Sequence, residues 1–265
     1  MDSSRRRILQ LLGISALALT TKPVLDAFAQ EHQAAAEAEV VIKTGDKALK
    51  AKQWAMVVDT RKLKSEADME PMIKVCHKIH NVPHFEDKRH EIKWIWDAPY
   101  HNVFPDKAAR FLEESVEQRP FLVLCNHCEN PPCCRACPTQ ATFKRESDGI
   151  VMMDFHRCIG CRFCMAACPF GARSFNYRDP RPFIAEADLN DEFPTRMKGV
   201  VEKCNFCAER LAVGQLPACV EASNGALTFG DLYDPQSEVR ELIRTNYTIR
   251  RKQELGTEPC VYYIV

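Results

Sequence analysis

Hydrophobic and polar positions along this chain fall into short runs rather than long stripes. After an Ala- and Glu-rich stretch, Trp54-Ala55-Met56-Val57-Val58-Asp59 predicts a short strand. Asp68 to His80 predicts a helix carrying Cys76. Glu91 to Trp96 alternates with a period of two, the pattern of a half-buried strand. Phe121 to Leu124 predicts a buried strand that ends on Cys125. Ala141 to Asp154 predicts a hairpin turning at Ser147-Asp148-Gly149. Pro180, Pro182 and Pro194 mark a long irregular connection. Glu238 to Thr245 predicts a short helix and Val261 to Ile264 a closing strand. Short strands and helices in mixed order predict an α+β protein joined by long loops.

The first residues follow a different pattern. Arg5, Arg6 and Arg7 precede an apolar stretch to Thr20, and Ala27-Phe28-Ala29 supplies small residues for cleavage. That order predicts a twin-arginine signal peptide over 1–29, followed by a leader over 30–52. The apolar stretch is too short to span a bilayer comfortably. No later segment is longer, so the mature chain is expected to carry no membrane span. Export by a route for folded proteins places it in the periplasm or on the outer face of the cytoplasmic membrane. The whole chain has 36 basic and 36 acidic residues, and 1–29 hold four and two of them. Without a basic excess, nucleic acid is excluded as a partner.

Fourteen cysteines change the picture most. Cys125-x2-Cys128-x4-Cys133-x3-Cys137-Pro138 is followed by Cys158-x2-Cys161-x2-Cys164-x3-Cys168-Pro169. The second is the run that binds [4Fe–4S] clusters in bacterial ferredoxins, where the fourth cysteine ligates the other cluster. Zinc ribbons use two cysteine pairs and need no run of four ending in Cys-Pro. Disulfides between cysteines two apart would be strained. No Cys-x2-Cys-His occurs, so no covalent c-type haem is expected.

Crossed ligation sorts twelve cysteines into three sets. Cys125, Cys128, Cys133 and Cys168 form one; Cys158, Cys161, Cys164 and Cys137 form the second. A third run, Cys204-x2-Cys207-x11-Cys219, stops one cysteine short, with Ser223 where a further ligand would fall. Its fourth ligand is expected from an upstream partner run, of which Cys76 alone survives. The expected cofactors are therefore three [4Fe–4S] clusters. The pairing of 76 with 204 outside 125–168 predicts two nested ferredoxin-like modules. The outer is 53–100 plus 198–265, and the inner is 101–197. Cys134 and Cys260 are left over and read as small core residues.

No catalytic site is expected: Gly-rich phosphate loop, His-Glu-x2-His and triad signatures are all missing from the sequence. His77 and His80 read as exposed helical residues that could tune a cluster. His127 and His156 stand near ligands at hydrogen-bonding rather than ligating positions. Arg157, Arg162 and Lys203 adjoin ligands, where a positive charge could raise a cluster potential.

With those residues in view, the chain resembles the four-cluster ferredoxin-like electron-transfer subunits of membrane-bound oxidoreductases. The resemblance is carried by 125–139 (CNHCENPPCCRACPT), 157–172 (RCIGCRFCMAACPFGA), 202–210 (EKCNFCAER), 216–221 (LPACVE) and 256–263 (GTEPCVYY). The stretches 52–60, 72–82 and 92–96 are most similar to the DsrO branch, the periplasmic subunits of DsrMKJOP complexes. The chain departs from the four-run pattern from Leu63 onward and at Ser223. The resemblance implies an electron-transfer role in sulfite or sulfur metabolism, without a substrate site. Its implied partners are an NrfD-like integral membrane subunit that handles quinone, a multihaem cytochrome c, and further subunits of a DsrMKJOP-type complex. Related electron-transfer subunits serve molybdenum reductases, hydrogenases and nitrite-reducing systems. The resemblance further implies that the inner cluster pair lies toward the membrane subunit.

Overall fold

The strand Trp54–Asp59 (β1) organises the protein because both its faces are buried. In the computed structural model, which describes residues 45–107 and 109–265, β1 lies inside a four-stranded sheet. The expected signal peptide at 1–29 lies outside the described residues, as does 30–44 of the expected leader. Trp54, Met56 and Val58 point into the main core, with Met69, Met72 and Cys76. Ala55 and Val57 point the other way, onto Val239, Cys260 and Ile264. This alternation is the two-residue period of a strand covered on both faces.

Nine further strands follow among the described residues. They are β2 (Ile95–Pro99), β3 (Pro120–Leu124), β4 (Thr142–Lys144), β5 (Val151–Met153), β6 (Ser174–Phe175), β7 (Val201–Glu202), β8 (Leu227–Asp231), β9 (Thr248–Ile249) and β10 (Val261–Ile264). The sheet order is β8-β1-β10-β9, with β1 parallel to β10 (Met56 opposite Val261) and antiparallel to β8 (Met56 opposite Phe229). The remaining strands form three antiparallel pairs, β2–β3, β4–β5 and β6–β7.

The α-helices are α1 (Glu66–Ile79), α2 (Tyr100–Val103), α3 (Glu114–Glu117), α4 (Pro132–Arg135), α5 (Phe163–Ala167), α6 (Ala208–Leu211), α7 (Ala218–Glu221) and α8 (Glu238–Thr245). The fold is α+β, as the pattern predicts. Helix α1 starts two residues before the expected Asp68. There the Asp68 carboxylate accepts the backbone N–H of Lys64 and Ser65, which caps the first turn. Met69, Met72 and Cys76 form its buried face at helical spacing.

One expectation needs correction. The strand expected over 91–96 is paired only from Ile95. Ile92 and Trp94 are buried, but the Lys93 N–H donates to Ser174 Oγ instead of to a neighbouring strand. Burial alone produces the alternating pattern there. Two strand pairs span the bounds expected for the outer and inner modules, which remain a proposal. β2 lies in the expected outer module and pairs β3 of the inner one; β6 and β7 are likewise divided. Residues 45–265 form one compact unit. The C-terminal segment closes it, since Glu129 and Asn130 donate to the carbonyls of Glu258 and Thr257, and Cys260 donates to that of Asn126.

Candidate metal centres

All fourteen cysteines are free thiols. Their loops are bent by residues in the left-handed region: His127 inside the first pair, Gly160 and Arg162 in the second run, Phe206 and Cys207 in the third. These bends let side chains two or three residues apart face one point. Gly160 is required as glycine, because a Cβ there would collide with the Gly199 carbonyl oxygen. The Phe206 N–H donates to Cys204 Sγ at 3.5 Å.

Cys125, Cys128, Cys133 and Cys168 line one cavity, walled also by Phe170 and Arg173. Strand β3 delivers Cys125, helix α4 carries Cys133, and Cys168 ends α5. Burial pushes the Cys128 thiol up, and the charges of Cys125, Cys133 and Cys168 add to the rise. Cys76, Cys204 and Cys219 lie buried in one core, Cys207 is buried as well, and α1, which carries Cys76, packs on α7, which carries Cys219. Burial pushes the Cys76 thiol well up, followed by the charges of Cys204, Cys207 and Cys219. Burial likewise pushes Cys219 up to about 12. Thiols packed so closely cannot ionise together unless a cation joins them, so both sites fit an iron–sulfur cluster. In the second expected set, Cys158 and Cys164 pack with Cys133, while Cys137 and Cys161 are half-buried. Cys137 lies just beyond α4, which packs on the helix α5 that carries Cys164.

The cations differ from expectation. Arg157 is exposed and pairs with Asp154; Arg162 is exposed over the Phe175 and Tyr177 rings. Only Lys203 is buried, its ammonium donating to the carbonyls of Val151 and Cys204. A second buried cation, Arg173, has no counterpart among the expected residues. It donates to Thr142 Oγ1. Burial disfavours its charge, but Cys133, Cys164 and Cys125 outweigh that and hold the guanidinium above its ordinary value. Its one signal in the sequence is its place five residues after Cys168, on the turn that follows the ligand run.

The histidines also need correction. His80 is 1% exposed and His77 is half-buried, because the helix face bearing them packs inward rather than against water. His127 is fully buried, stacks on Phe206 with centroids 3.7 Å apart, and accepts the Val151 N–H at Nδ1. Burial and then Lys203 hold its imidazole neutral. His156 is exposed. Cys260 is a core residue, whereas Cys134 is partly exposed. The neighbouring Cys134 thiol, with the charges of Arg173 and Lys203, holds the Cys133 thiol below its ordinary value. Ser223 is a local cap: its hydroxyl donates to the Val220 carbonyl and accepts the Leu227 N–H.

Residues 118–181 match the 4Fe-4S dicluster domain family, a span holding both four-cysteine runs. The chain is 39% identical to the Hdr-like menaquinol oxidoreductase iron-sulfur subunit 1 of Archaeoglobus fulgidus, over 98% of this chain and 97% of that protein. The chain belongs to the family of 4Fe-4S iron–sulfur subunits of oxidoreductases. Another member of this family, the menaquinone reductase iron-sulfur cluster-binding subunit of Nitratidesulfovibrio vulgaris, is 34% identical over 80% of this chain and 88% of that protein. A Halobacterium salinarum protein named as a dimethyl sulfoxide reductase iron-sulfur subunit is 47% identical, but over only 53% of each chain. Such subunits carry electrons. No described helix is long and apolar enough to cross a membrane.

Proposed function

We propose that this chain relays electrons through three [4Fe–4S] clusters between a quinone-handling, NrfD-like integral membrane subunit and a periplasmic redox partner such as a multihaem cytochrome c. The complex is of the DsrMKJOP type and serves sulfite or sulfur metabolism. The ligands are Cys125, Cys128, Cys133 and Cys168 for one cluster, Cys158, Cys161, Cys164 and Cys137 for the second, and Cys76, Cys204, Cys207 and Cys219 for the third. Bound clusters of this kind supply one-electron transfer. The chain's own residues hold them apart from water, balance their charge through Lys203 and Arg173, and expose one of them to a partner.

The observation that carries this reading is the burial of Cys76 in the core that also holds Cys204 and Cys219, with α1 packed on α7, the helix that bears Cys219. It supports Cys76 as the fourth ligand of the run that is one cysteine short. The full-length likeness to a menaquinol oxidoreductase subunit supports the quinone link. The dimethyl sulfoxide reductase relative matches over half the chain only, which weighs against a molybdenum-reductase role.

Cys158 and Cys161 are half-buried, and Ile159 and Phe163 beside them are 65% and 59% exposed. Exposed apolar side chains around a ligand loop suit a contact with an electron partner. We place the membrane subunit there. The test is reduction of the native complex by a quinol analogue. Reduction of all three clusters in the complex, and none in the isolated chain, supports the reading. A native complex without an integral membrane protein overturns it. Export is tested by replacing Arg5, Arg6 and Arg7 with Lys. The precursor is then expected to stay in the cytoplasm, and continued export overturns the twin-arginine route.

A further inference from the structure

Cys76 approaches its thiol set alone, from the last turn of α1, and His80 follows it by one helical turn. The His80 ring is fixed on every side. It stacks on Trp94 with centroids 4.4 Å apart and meets the edge of Phe193 at 4.8 Å. Arg196 donates to its backbone carbonyl. His80 Nδ1 lies 2.9 Å from the Cys76 carbonyl oxygen and 3.6 Å from Cys76 Sγ. A carbonyl oxygen and a thiolate sulfur both accept, so Nδ1 carries the hydrogen and is shared between them.

The far side of the ring is held as well. Nε2 lies 2.8 Å from Glu209 Oε1. The other Glu209 oxygen accepts from Asn205 Nδ2 at 2.9 Å, and Asn205 Oδ1 accepts the Cys207 N–H at 2.8 Å. A continuous chain of hydrogen bonds therefore runs from the Cys76 sulfur through His80, Glu209 and Asn205 to the Cys207 backbone. It joins two members of one thiol set that come from segments more than a hundred residues apart. His80, Cys207 and Glu209 offer donor atoms within 4.8 Å of one another, an arrangement that could also hold a metal ion. Both ring nitrogens are already engaged, which makes hydrogen bonding rather than ligation the role of the imidazole. His127, also buried, turns its Nδ1 to the Val151 N–H instead.

A donor to a cluster sulfur stabilises the reduced, more negative state and so raises the potential. Partners behind the ligand fix the donor's orientation. We propose that His80, locked in place by Glu209, is a positioning residue that donates to the Cys76 sulfur and raises the potential of that cluster alone. The inference rests on the reading that Cys76 is a cluster ligand.

The experiment is a redox titration of the full-length holoprotein, followed by electron paramagnetic resonance, with iron counted in each variant. His80→Phe keeps an aromatic ring against Trp94 and removes both nitrogens. It is expected to retain all iron and to move one midpoint to a more negative value, leaving the others in place. His80→Gln restores a donor and should recover part of the shift. Glu209→Gln, one step further from the sulfur, should give a smaller shift in the same direction. Unmoved midpoints in His80→Phe, or in Glu209→Gln if His80→Phe does not load iron, overturn the inference. Cys76→Ala separates the two readings. Loss of one cluster supports the ligand assignment, whereas retention of every cluster overturns it and the role of His80 with it.

Discussion

The loop at Cys158–Cys161 and the loop at Cys204–Cys207 share the same two-residue spacing but sit in opposite surroundings. The first keeps Cys158 and Cys161 half-buried beneath exposed Ile159 and Phe163. The second is sealed, with Cys204 and Cys207 buried, Cys76 on the buried face of α1, and the His80, Trp94 and Phe193 rings packed beside it. The motif therefore sets where the sulfurs point, and the segments packed over it set what the site can exchange. An exposed site suits contact with another protein. A sealed one shields its sulfurs from water and lets a fixed donor act on them.

The largest way to break this comparison is to remove one ligand from each end. Cys161→Ala and Cys76→Ala should each lose about four iron atoms and leave the other two sites loaded. Cys134→Ala and Cys260→Ala should lose none. Iron and sulfide analysis reads all four. The next effect concerns what seals the buried end. Arg196 and Glu202 form an ion pair with both side chains fully buried, and Glu202 also accepts from the Trp94 indole. Glu202→Ala strands the guanidinium and should cost about 3–5 kcal/mol, read by chemical denaturation of the loaded protein. At the open end, Phe163→Asp should weaken association with the membrane subunit about tenfold, about 1.4 kcal/mol, with iron content and stability unchanged. The smallest change sharpens the comparison by touching neither end. Ser237 Oγ accepts the Arg240 N–H at the start of α8, so Ser237→Ala should cost about 1 kcal/mol and alter no cluster.

Much of this is legible in the sequence, for physical reasons that differ by element. β1 and β10 announce themselves through runs of β-branched and aromatic residues, and α8 through its strict 238–245 pattern. The cysteine runs are legible because cluster geometry demands their spacing. The start of α1 is harder to see because Pro71 sits inside the helix and argues for a later start, while the Ser65–Asp68 cap reads as loop. β2 is displaced because Ile92 and Trp94 are buried without being paired. The roles of His80 and Arg173 are hidden for a different reason. Each depends on groups distant in sequence, Glu209 for the first and Cys133 for the second. No local pattern encodes a contact between residues 80 and 209. The β2–β3 and β6–β7 pairings are hidden in the same way, because they are tertiary and join segments far apart in the cysteine order.

The central claim is that twelve cysteines hold three clusters, with Cys76 completing the third. Iron quantification on the purified holoprotein, set against protein mass, tests it most directly. The account predicts about twelve iron atoms per chain, falling to about eight in Cys76→Ala. About sixteen in the native protein, or no loss of iron in Cys76→Ala, would contradict it.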